Sequence, residues 1–172
     1  MNVKSSVILI GMPGAGKSTV GVLLAKYMAK AFVDTDILIQ EALGETLQSY
    51  LDREGYLALR EKEEEILAKA CFDHHVIATG GSAVYSETGM SALTQVGVVV
   101  YLSISHSTVK QRVSNQSTRG IASQPGSSLD DIYQERLSLY NKYAQITVVA
   151  DGLTPDLVAQ EVMEKIKSIR AE

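Results

Sequence analysis

The segment Gly11-Met12-Pro13-Gly14-Ala15-Gly16-Lys17-Ser18 decides the fold of this chain, because it matches the phosphate-binding pattern G-x-x-x-x-G-K-[ST]. The apolar residues 7–10 (VILI) before it predict a strand, and residues 18–30 after it predict an amphipathic helix. The glycines let the backbone curl so that its N–H groups point at phosphate oxygens, and the helix N-terminus adds its positive dipole. We therefore predict a nucleotide-phosphate site, with a glycine-rich turn of no function as the alternative.

Two side chains of this segment add chemistry to the loop. Lys17 can reach the β- and γ-phosphates of a nucleotide, and the Ser18 hydroxyl can ligate Mg²⁺. A dinucleotide-binding fingerprint, G-x-G-x-x-G, would need a third glycine where Thr19 stands, and it would not require the lysine and serine. An ATP–Mg²⁺ site is therefore the better interpretation.

Short apolar runs alternate with longer helical patterns along the rest of the chain. This alternation predicts one α/β domain, residues 1–172, with a parallel sheet covered by helices on both faces. Ligands bind such sheets beyond the carboxyl ends of the strands. One polar segment, residues 114–130, is long for a loop inside a compact domain and predicts a lid. The other predicted strands are residues 31–33, 76–78, 97–102 and 146–150, and the other predicted helices are residues 47–71 and 154–169.

Composition limits the class of protein. Of the 172 residues, 45% are hydrophobic and 21% are charged, as in soluble globular proteins. The net charge of −4 and the lack of a basic stripe argue against a nucleic-acid partner. No apolar stretch approaches the ~20 residues that span a bilayer, and the N-terminal run lacks a signal-peptide cleavage pattern. We expect a cytoplasmic monomer without membrane contact.

The single cysteine is informative about what the chain does not contain. Cys71 has no second cysteine to pair with, which excludes an internal disulfide and a multi-thiolate zinc site. It stands at the end of a helical pattern, and cysteine is among the residue types most often found in protein cores. We therefore expect Cys71 to be buried.

Several nucleotide-dependent classes are disfavoured by missing motifs. A GTPase carries an Asn-Lys-x-Asp guanine reader, but the only Asn-Lys pair here, Asn141-Lys142, continues as Tyr143-Ala144. A hydrolytic ATPase carries an acidic residue at the end of a later apolar strand. Here the third predicted strand runs into Thr79-Gly80-Gly81 and the fourth into Ser103-Ile104-Ser105. A kinase is the class that these absences leave.

The acidic residues stand instead after the second predicted strand, in Asp34-Thr35-Asp36. In extended chain, residues two apart point the same way, so both carboxylates can face the phosphate loop. One could hold Mg²⁺, directly or through water, and the other could orient an acceptor hydroxyl and take its proton. The alternative for Asp36 is an N-cap of a helix beginning near Ile37.

At this point the sequence resembles the shikimate kinases, nearly from end to end. The resemblance implies their fold, a five-stranded parallel sheet of strand order 2-3-1-4-5 with helices on both faces and a mobile lid. It also implies ATP-dependent phosphorylation of a hydroxyl of a small carboxylic acid, shikimate, to give shikimate 3-phosphate. The motifs that carry it, in family-like order, are GMPGAGKS, the DTD of FVDTD, Arg60 in LALREKEEE, Thr79-Gly80-Gly81, Arg119, and Arg136 in ERLSLYNKYA.

The resemblance assigns roles to the acceptor side, within about residues 34–62 and beyond. Asp34 would serve Mg²⁺ together with Ser18, and Asp36 would bind the acceptor's hydroxyls and act as base. The acceptor's carboxylate would be held by Arg60 and Arg136, since a guanidinium fork fixes a carboxylate through two charge-assisted hydrogen bonds. The backbone N–H groups of Gly80 and Gly81 would contact the acceptor. For Arg60 the alternative is a solvated helix face, given the acidic cluster at residues 61–65.

On the nucleotide side, the resemblance implies that Arg119 enters with the lid and stabilises charge on the transferring phosphoryl group. Such a charge acts once the closing loop has excluded water. It also implies that Arg112 packs on adenine, although a surface arginine on a helix needs no such role. The residues implied for catalysis are Lys17, Asp36 and Arg119. Those implied for nucleotide binding are Gly14, Ala15, Gly16, Lys17, Ser18, Thr19, Arg112 and Arg119.

The chain departs from the family pattern at two places. Ser82 stands where the family usually has a third glycine, and Gly120-Ile121-Ala122 follows the lid arginine in place of proline and leucines. Both departures lie on the acceptor side and leave the phosphoryl-transfer residues intact. Two alternatives therefore stay open: a paralogue acting on another small hydroxy acid or polyol, and a non-catalytic nucleotide-binding regulatory module.

Overall fold

The computed structural model describes residues 5–69, 71–114 and 121–171. Five strands form one parallel sheet with the order β2-β3-β1-β4-β5, as the resemblance implied. The strands are β1 (Ser6–Ile10), β2 (Ala31–Asp34), β3 (His75–Ala78), β4 (Gly97–Ser103) and β5 (Ile146–Val149). The helices are α1 (Lys17–Met28), α2 (Thr35–Leu43), α3 (Leu47–Ala68), α4 (Glu87–Val96), α5 (His106–Ser114), α6 (Leu129–Tyr143) and α7 (Pro155–Ala171).

The burial of each strand follows its place in the sheet. Every residue of the central strand β1 is buried, because helices cover it from both sides: α1 packs against α7, and α3 packs against α4. At the sheet edge, β5 alternates instead, with Ile146 and Val148 buried and Thr147 and Val149 exposed. A run of apolar residues is thus needed only where both faces of a strand are covered.

Two of the predicted helices have different bounds in the structure. The helix predicted for residues 18–30 ends at Met28, where Ala29 adopts a left-handed conformation and donates its N–H to earlier carbonyls. The helix predicted for residues 47–71 begins after its N-cap Thr46 and is interrupted at Gly55, whose φ of 84° and ψ of 171° are not helical. Glycine adopts positive φ without a steric penalty, so α3 changes direction there.

The prediction that Cys71 is buried is wrong. Helix α3 ends at Ala68, before the cysteine, and Cys71 lies exposed in the connection to β3. Because the helix ends before Cys71, the cysteine does not belong to the helix face that packs into the core, which explains the error.

A second, smaller apolar cluster lies apart from the main core. Its buried members are Ile39 of α2, Leu59 of α3 and Ala122, which follows the predicted lid arginine. The cluster brings α2, α3 and Ala122 of the predicted lid segment into contact near the carboxyl ends of the strands. In the part of the chain that the structure describes, no helix has the length and apolar character needed to cross a membrane.

Candidate active site

The phosphate loop lies between β1 and α1, where the sequence predicted it. Gly11 has a φ of 148°, and a β-carbon on it would stand 2.6 Å from the Leu102 carbonyl oxygen of β4, so only glycine fits. The turn is closed by a hydrogen bond from the Ala15 N–H to the Met12 carbonyl at 3.1 Å. Helix α1 begins at Lys17 with no side chain capping its first N–H groups. These donors and the helix dipole are suited to phosphate oxygens.

Lys17 and Ser18 are both placed at the mouth of this loop. The buried Lys17 ammonium donates hydrogen bonds to the Gly11 carbonyl at 2.7 Å and to the Met12 carbonyl at 2.9 Å. The Ser18 hydroxyl donates to Asp34 Oδ2 at 2.5 Å. A hydroxyl and a carboxylate side by side are hard oxygen ligands of the kind that Mg²⁺ prefers, so the residues present fit this ion.

Asp34 also determines how α2 starts. Its Oδ1 accepts a hydrogen bond from the Asp36 N–H at 3.0 Å, so Asp34 is the N-cap of α2. The alternative that Asp36 caps this helix is therefore wrong. Asp36 lies in the first helical turn, two residues inside the cap, and its side chain lines the cleft described next.

One cleft of about 600 Å³ joins the phosphate loop to the acceptor side. It starts at the loop, passes the two aspartates and ends at the segment after β3 and at α6. Of the residues to which the sequence analysis assigned a binding or catalytic role, the cleft is lined by Gly14, Gly16, Lys17, Ser18, Thr19, Asp34, Asp36, Gly80, Gly81 and Arg136. Ala15, Arg60 and Arg112 lie outside the lining, and Arg119 lies outside the described residues.

Arg60 and Arg136 meet at the acceptor end although 76 positions of sequence separate them. Both donate to the carbonyl oxygen of Ala122, Arg60 at 3.2 Å and Arg136 at 2.9 Å. Arg136 is only 1% exposed, and the Arg60 guanidinium stacks 3.6 Å from the centre of the Tyr85 ring. The alternative that Arg60 lies on a solvated helix face is therefore wrong.

Neither guanidinium group has a carboxylate partner within ion-pair distance among the described residues. In the same part of the chain, the Nε atoms of Arg60 and Arg136 are buried without a hydrogen-bond partner. Buried donors without partners are costly, and two like charges in one place repel each other. The arrangement is thus incomplete as it stands, and an anion would supply the missing acceptors.

The segment after β3 separates the phosphate loop from the arginines. A β-carbon on Gly81 would stand 2.8 Å from Arg136 Nη1 and 2.9 Å from Pro13 Cδ, so glycine allows both neighbours to approach. The buried Tyr140 hydroxyl donates to the Gly81 carbonyl at 2.7 Å and holds this peptide in place. The Gly80 N–H already donates to the Thr35 hydroxyl at 3.1 Å, which the sequence did not indicate.

Glu63 also lies in the cleft, which its place in the acidic cluster at residues 61–65 did not indicate. It is 3% exposed and lines the cleft, and its Oε2 accepts a hydrogen bond from the Ser82 hydroxyl at 2.6 Å. Burial raises the pKa of Glu63 to about 7, against the opposing effect of the Ser82 hydrogen bond. The neighbouring Asp36 raises this pKa further, and Arg136 and Arg60 lower it.

A signal for Glu63 was present in the sequence. The buried positions of α3 include Leu59, Glu63 and Leu67, which stand four residues apart and share one face of a helix. Arg60 precedes Glu63 by three residues and therefore lies near the same face. The spacing of four residues between Glu63 and each leucine therefore indicates that the glutamate lies on the buried face of α3.

Arg112 of α5 lies against the phosphate loop from outside the cleft. Its Nη1 donates to the Gly14 carbonyl at 2.7 Å, and its stem would contact a β-carbon on Gly14 at 3.1 Å. The arginine is thus positioned beside the loop and not on an open helix surface.

Comparison with known proteins agrees with this geometry. The family model of shikimate kinase matches residues 13–167. A shikimate kinase of Pseudomonas aeruginosa (strain LESB58) is 37% identical over 167 residues, covering 95% of this chain and 97% of the relative. One from Sulfurihydrogenibium sp. (strain YO3AOP1) is 34% identical over 163 residues, covering 94% and 98%.

A solved structure extends this likeness to the fold. Shikimate kinase from Acinetobacter baumannii in complex with shikimate has a TM-score of 0.88 and 28% identity, and the match covers 98% of this chain and 96% of that one. The sheet order, the phosphate loop and the similarity along nearly the whole length lead to one conclusion. This chain belongs to the shikimate kinase family.

Proposed function

We propose that the chain transfers the γ-phosphoryl group of ATP to a hydroxyl of shikimate, giving shikimate 3-phosphate and ADP. The observation that carries this proposal is that Arg60 and Arg136 converge on the carbonyl oxygen of Ala122, a residue of the cleft lining, with buried donors left over. A carboxylate there would satisfy both charges, and it would orient the rest of the acceptor towards the phosphate loop. A neutral polyol would offer these two guanidinium groups no anionic hydrogen-bond acceptor.

On the nucleotide side, the loop N–H groups and Lys17 bind the phosphates and offset the negative charge that moves in the transition state. Ser18 and Asp34 would hold Mg²⁺, which neutralises charge on the β- and γ-phosphates when it is bound. Arg112 contributes from α5, where its contact with the Gly14 carbonyl places it beside the nucleotide end.

On the acceptor side, Asp36 takes the proton of the attacking hydroxyl as the new O–P bond forms and the bond to ADP breaks. Its position supports this role, because it lines the cleft between the phosphate loop and the arginines. Arg119, in the lid at residues 114–130, is proposed to reach the transferring group on closure, when water is excluded.

A coupled ADP-release assay over a panel of acceptors tests the proposal. Shikimate should support saturable ADP release, while gluconate and a neutral polyol should not. The methyl ester of shikimate is the matched control, since it keeps every hydroxyl and replaces the carboxylate with a neutral ester. If the ester or the polyol were the better acceptor, the proposed substrate would be wrong although the kinase would remain. ATP binding without ADP release from any acceptor would favour a regulatory module.

A further inference from the structure

Ser82 occupies a special place in the acceptor site. It follows Gly80 and Gly81, lines the cleft, and donates its hydroxyl to Glu63 Oε2 at 2.6 Å. The other carboxylate oxygen, Oε1, lies 2.5 Å from the point where a Gly80 β-carbon would stand, and Asp36 Oδ1 lies 2.7 Å from the same point. The serine thus holds the carboxylate of Glu63 against Gly80, on the side of the cleft that we call the Gly80 wall.

The arginines are the obvious competing partners for this carboxylate. Arg60 precedes Glu63 by three residues on α3, and Arg136 of α6 lines the same cleft as Glu63. The charges of both arginines lower the pKa of Glu63. Nevertheless, neither forms an ion pair with Glu63 in the part of the chain that the structure describes. A buried carboxylate beside two guanidinium groups ordinarily pairs with one of them. Another contact must therefore keep the Glu63 carboxylate away from the arginines. Among the described residues, the Ser82 hydroxyl donates the hydrogen bond to its Oε2.

We propose that Ser82 is a positioning residue for acceptor binding, which keeps the Glu63 carboxylate at the Gly80 wall so that Arg60 and Arg136 stay open for the acceptor's carboxylate. The inference rests on the proposed function, because it assumes an acceptor that carries a carboxylate. Without the hydroxyl, Glu63 turns to the nearest guanidinium group and competes with the acceptor as an internal anion.

The test is steady-state kinetics with purified variants at saturating ATP and about pH 8, where Glu63 with its pKa of about 7 is mostly ionised. Ser82→Ala should raise the KM for shikimate on the order of tenfold, as expected for losing a hydrogen bond to a charged group. The kcat should change little, and so should the KM for ATP, measured separately with ATP varied at saturating shikimate, because the phosphate loop is untouched. Ser82→Thr, which keeps the hydroxyl, should restore the wild-type KM.

Two further variants separate positioning from a structural effect. Ser86 donates to Glu64 at 2.5 Å, so Ser86→Ala removes a similar serine–glutamate hydrogen bond between the same loop and α3, outside the cleft. It should lower the thermal unfolding midpoint and leave the shikimate KM unchanged. In a Glu63→Gln background, Ser82→Ala should have no additional effect on the KM, because a neutral amide cannot compete for the arginines.

The outcomes are distinct. A shikimate KM that Ser82→Ala leaves unchanged, or raises equally in the Glu63→Gln background, would overturn the inference. Failure of the proposed function would appear differently, as a wild-type protein without saturable dependence on shikimate. A rise in KM that Ser82→Thr reverses and Glu63→Gln abolishes would support the positioning role.

Discussion

The two ends of the cleft are built in different ways. The phosphate end is one continuous segment between β1 and α1, and the groups proposed to bind there are backbone N–H groups, one ammonium and one hydroxyl. The acceptor end collects side chains from α2, α3, the segment after β3, and α6. It follows that a change at the phosphate end disturbs a local turn, whereas a change at the acceptor end disturbs a contact between elements.

The two ends also differ in how they treat charge. The phosphate end relies on a helix N-terminus and on Lys17, whose ammonium contacts loop carbonyls. The acceptor end buries Glu63 at 3% and Arg136 at 1% exposure, and among the described residues neither side chain forms an ion pair. Burying a charge costs several kcal/mol unless it is paired, so this end gains most from a charged ligand. We therefore expect the phosphate end to determine the type of reaction and the acceptor end to determine which substrate is phosphorylated.

The largest effect is expected where the two ends meet, at Asp36. Asp36→Asn keeps a group that can hydrogen-bond the acceptor hydroxyl but is a poor base, so kcat should fall by about 10²–10⁴-fold with smaller changes in either KM. Single-turnover phosphoryl transfer measures the step directly, and Asp52→Asn on the exposed surface of α3 is the control. A change confined to ATP affinity would contradict the role as base.

At the phosphate end, Lys17→Met should lower kcat on the order of 10²–10³-fold, because a charge near the moving phosphoryl oxygens is lost. The same substitution at Lys26, an exposed residue of the same helix, controls for the change in side chain. Circular dichroism should show both variants folded. Near-normal kcat in Lys17→Met would mean that the loop does not serve phosphoryl transfer.

At the acceptor end, Arg136→Ala should raise the shikimate KM by well over tenfold, since breaking a buried charge pair costs about 2–5 kcal/mol. The KM for ATP should change little, which would sharpen the division between the two ends. Arg60→Ala should act similarly. The double variant should fall short of the summed effects, because both arginines are proposed to contact one carboxylate. The exposed Arg53 of α3 supplies the control, and additive losses would argue against a shared anion.

The smallest effect concerns stability and pH. The folded-state pKa of Glu63, about 7, lies above the usual 4.5, so between these values the folded protein keeps a proton that the unfolded chain has lost. Stability from this group therefore falls as the pH rises from about 4.5 to about 7 and is level above it. Glu63→Gln removes this dependence.

Urea unfolding at several pH values measures the effect. As the pH rises from about 4.5 to about 7, the free energy of unfolding of Glu63→Gln should increase relative to that of the wild type, by about 3 kcal/mol at most. A difference between Glu63→Gln and wild type that stays constant with pH would contradict the raised pKa.

Much of the fold and of the phosphate end could be predicted from local sequence. The pattern from Gly11 to Ser18 specifies a turn whose conformation depends on its own glycines and on the strand and helix beside it. The positions of the five strands followed from their apolar runs, within a residue or two at each end. The strand order was implied only by family resemblance, because the apolar pattern of a strand does not indicate which other strands pair with it.

The acceptor end was only partly predictable. Asp36 and the glycines after β3 follow from the rule that parallel strands end at one edge of the sheet. Arg136 and Arg60 were implied by resemblance, and their meeting at the Ala122 carbonyl could not be read from their own segments. Glu63 was missed, since an acidic cluster on a helix is usually solvated.

By itself, the sequence determined the phosphate loop, the parallel α/β class and the family. Only the tertiary structure decided that Glu63 is buried and held by Ser82, that Arg60 turns inward against Tyr85, and that Cys71 is exposed. The physical reason is that a loop's backbone conformation depends on residues adjacent in the chain. The burial, partners and pKa of a side chain depend on whichever distant elements pack against it.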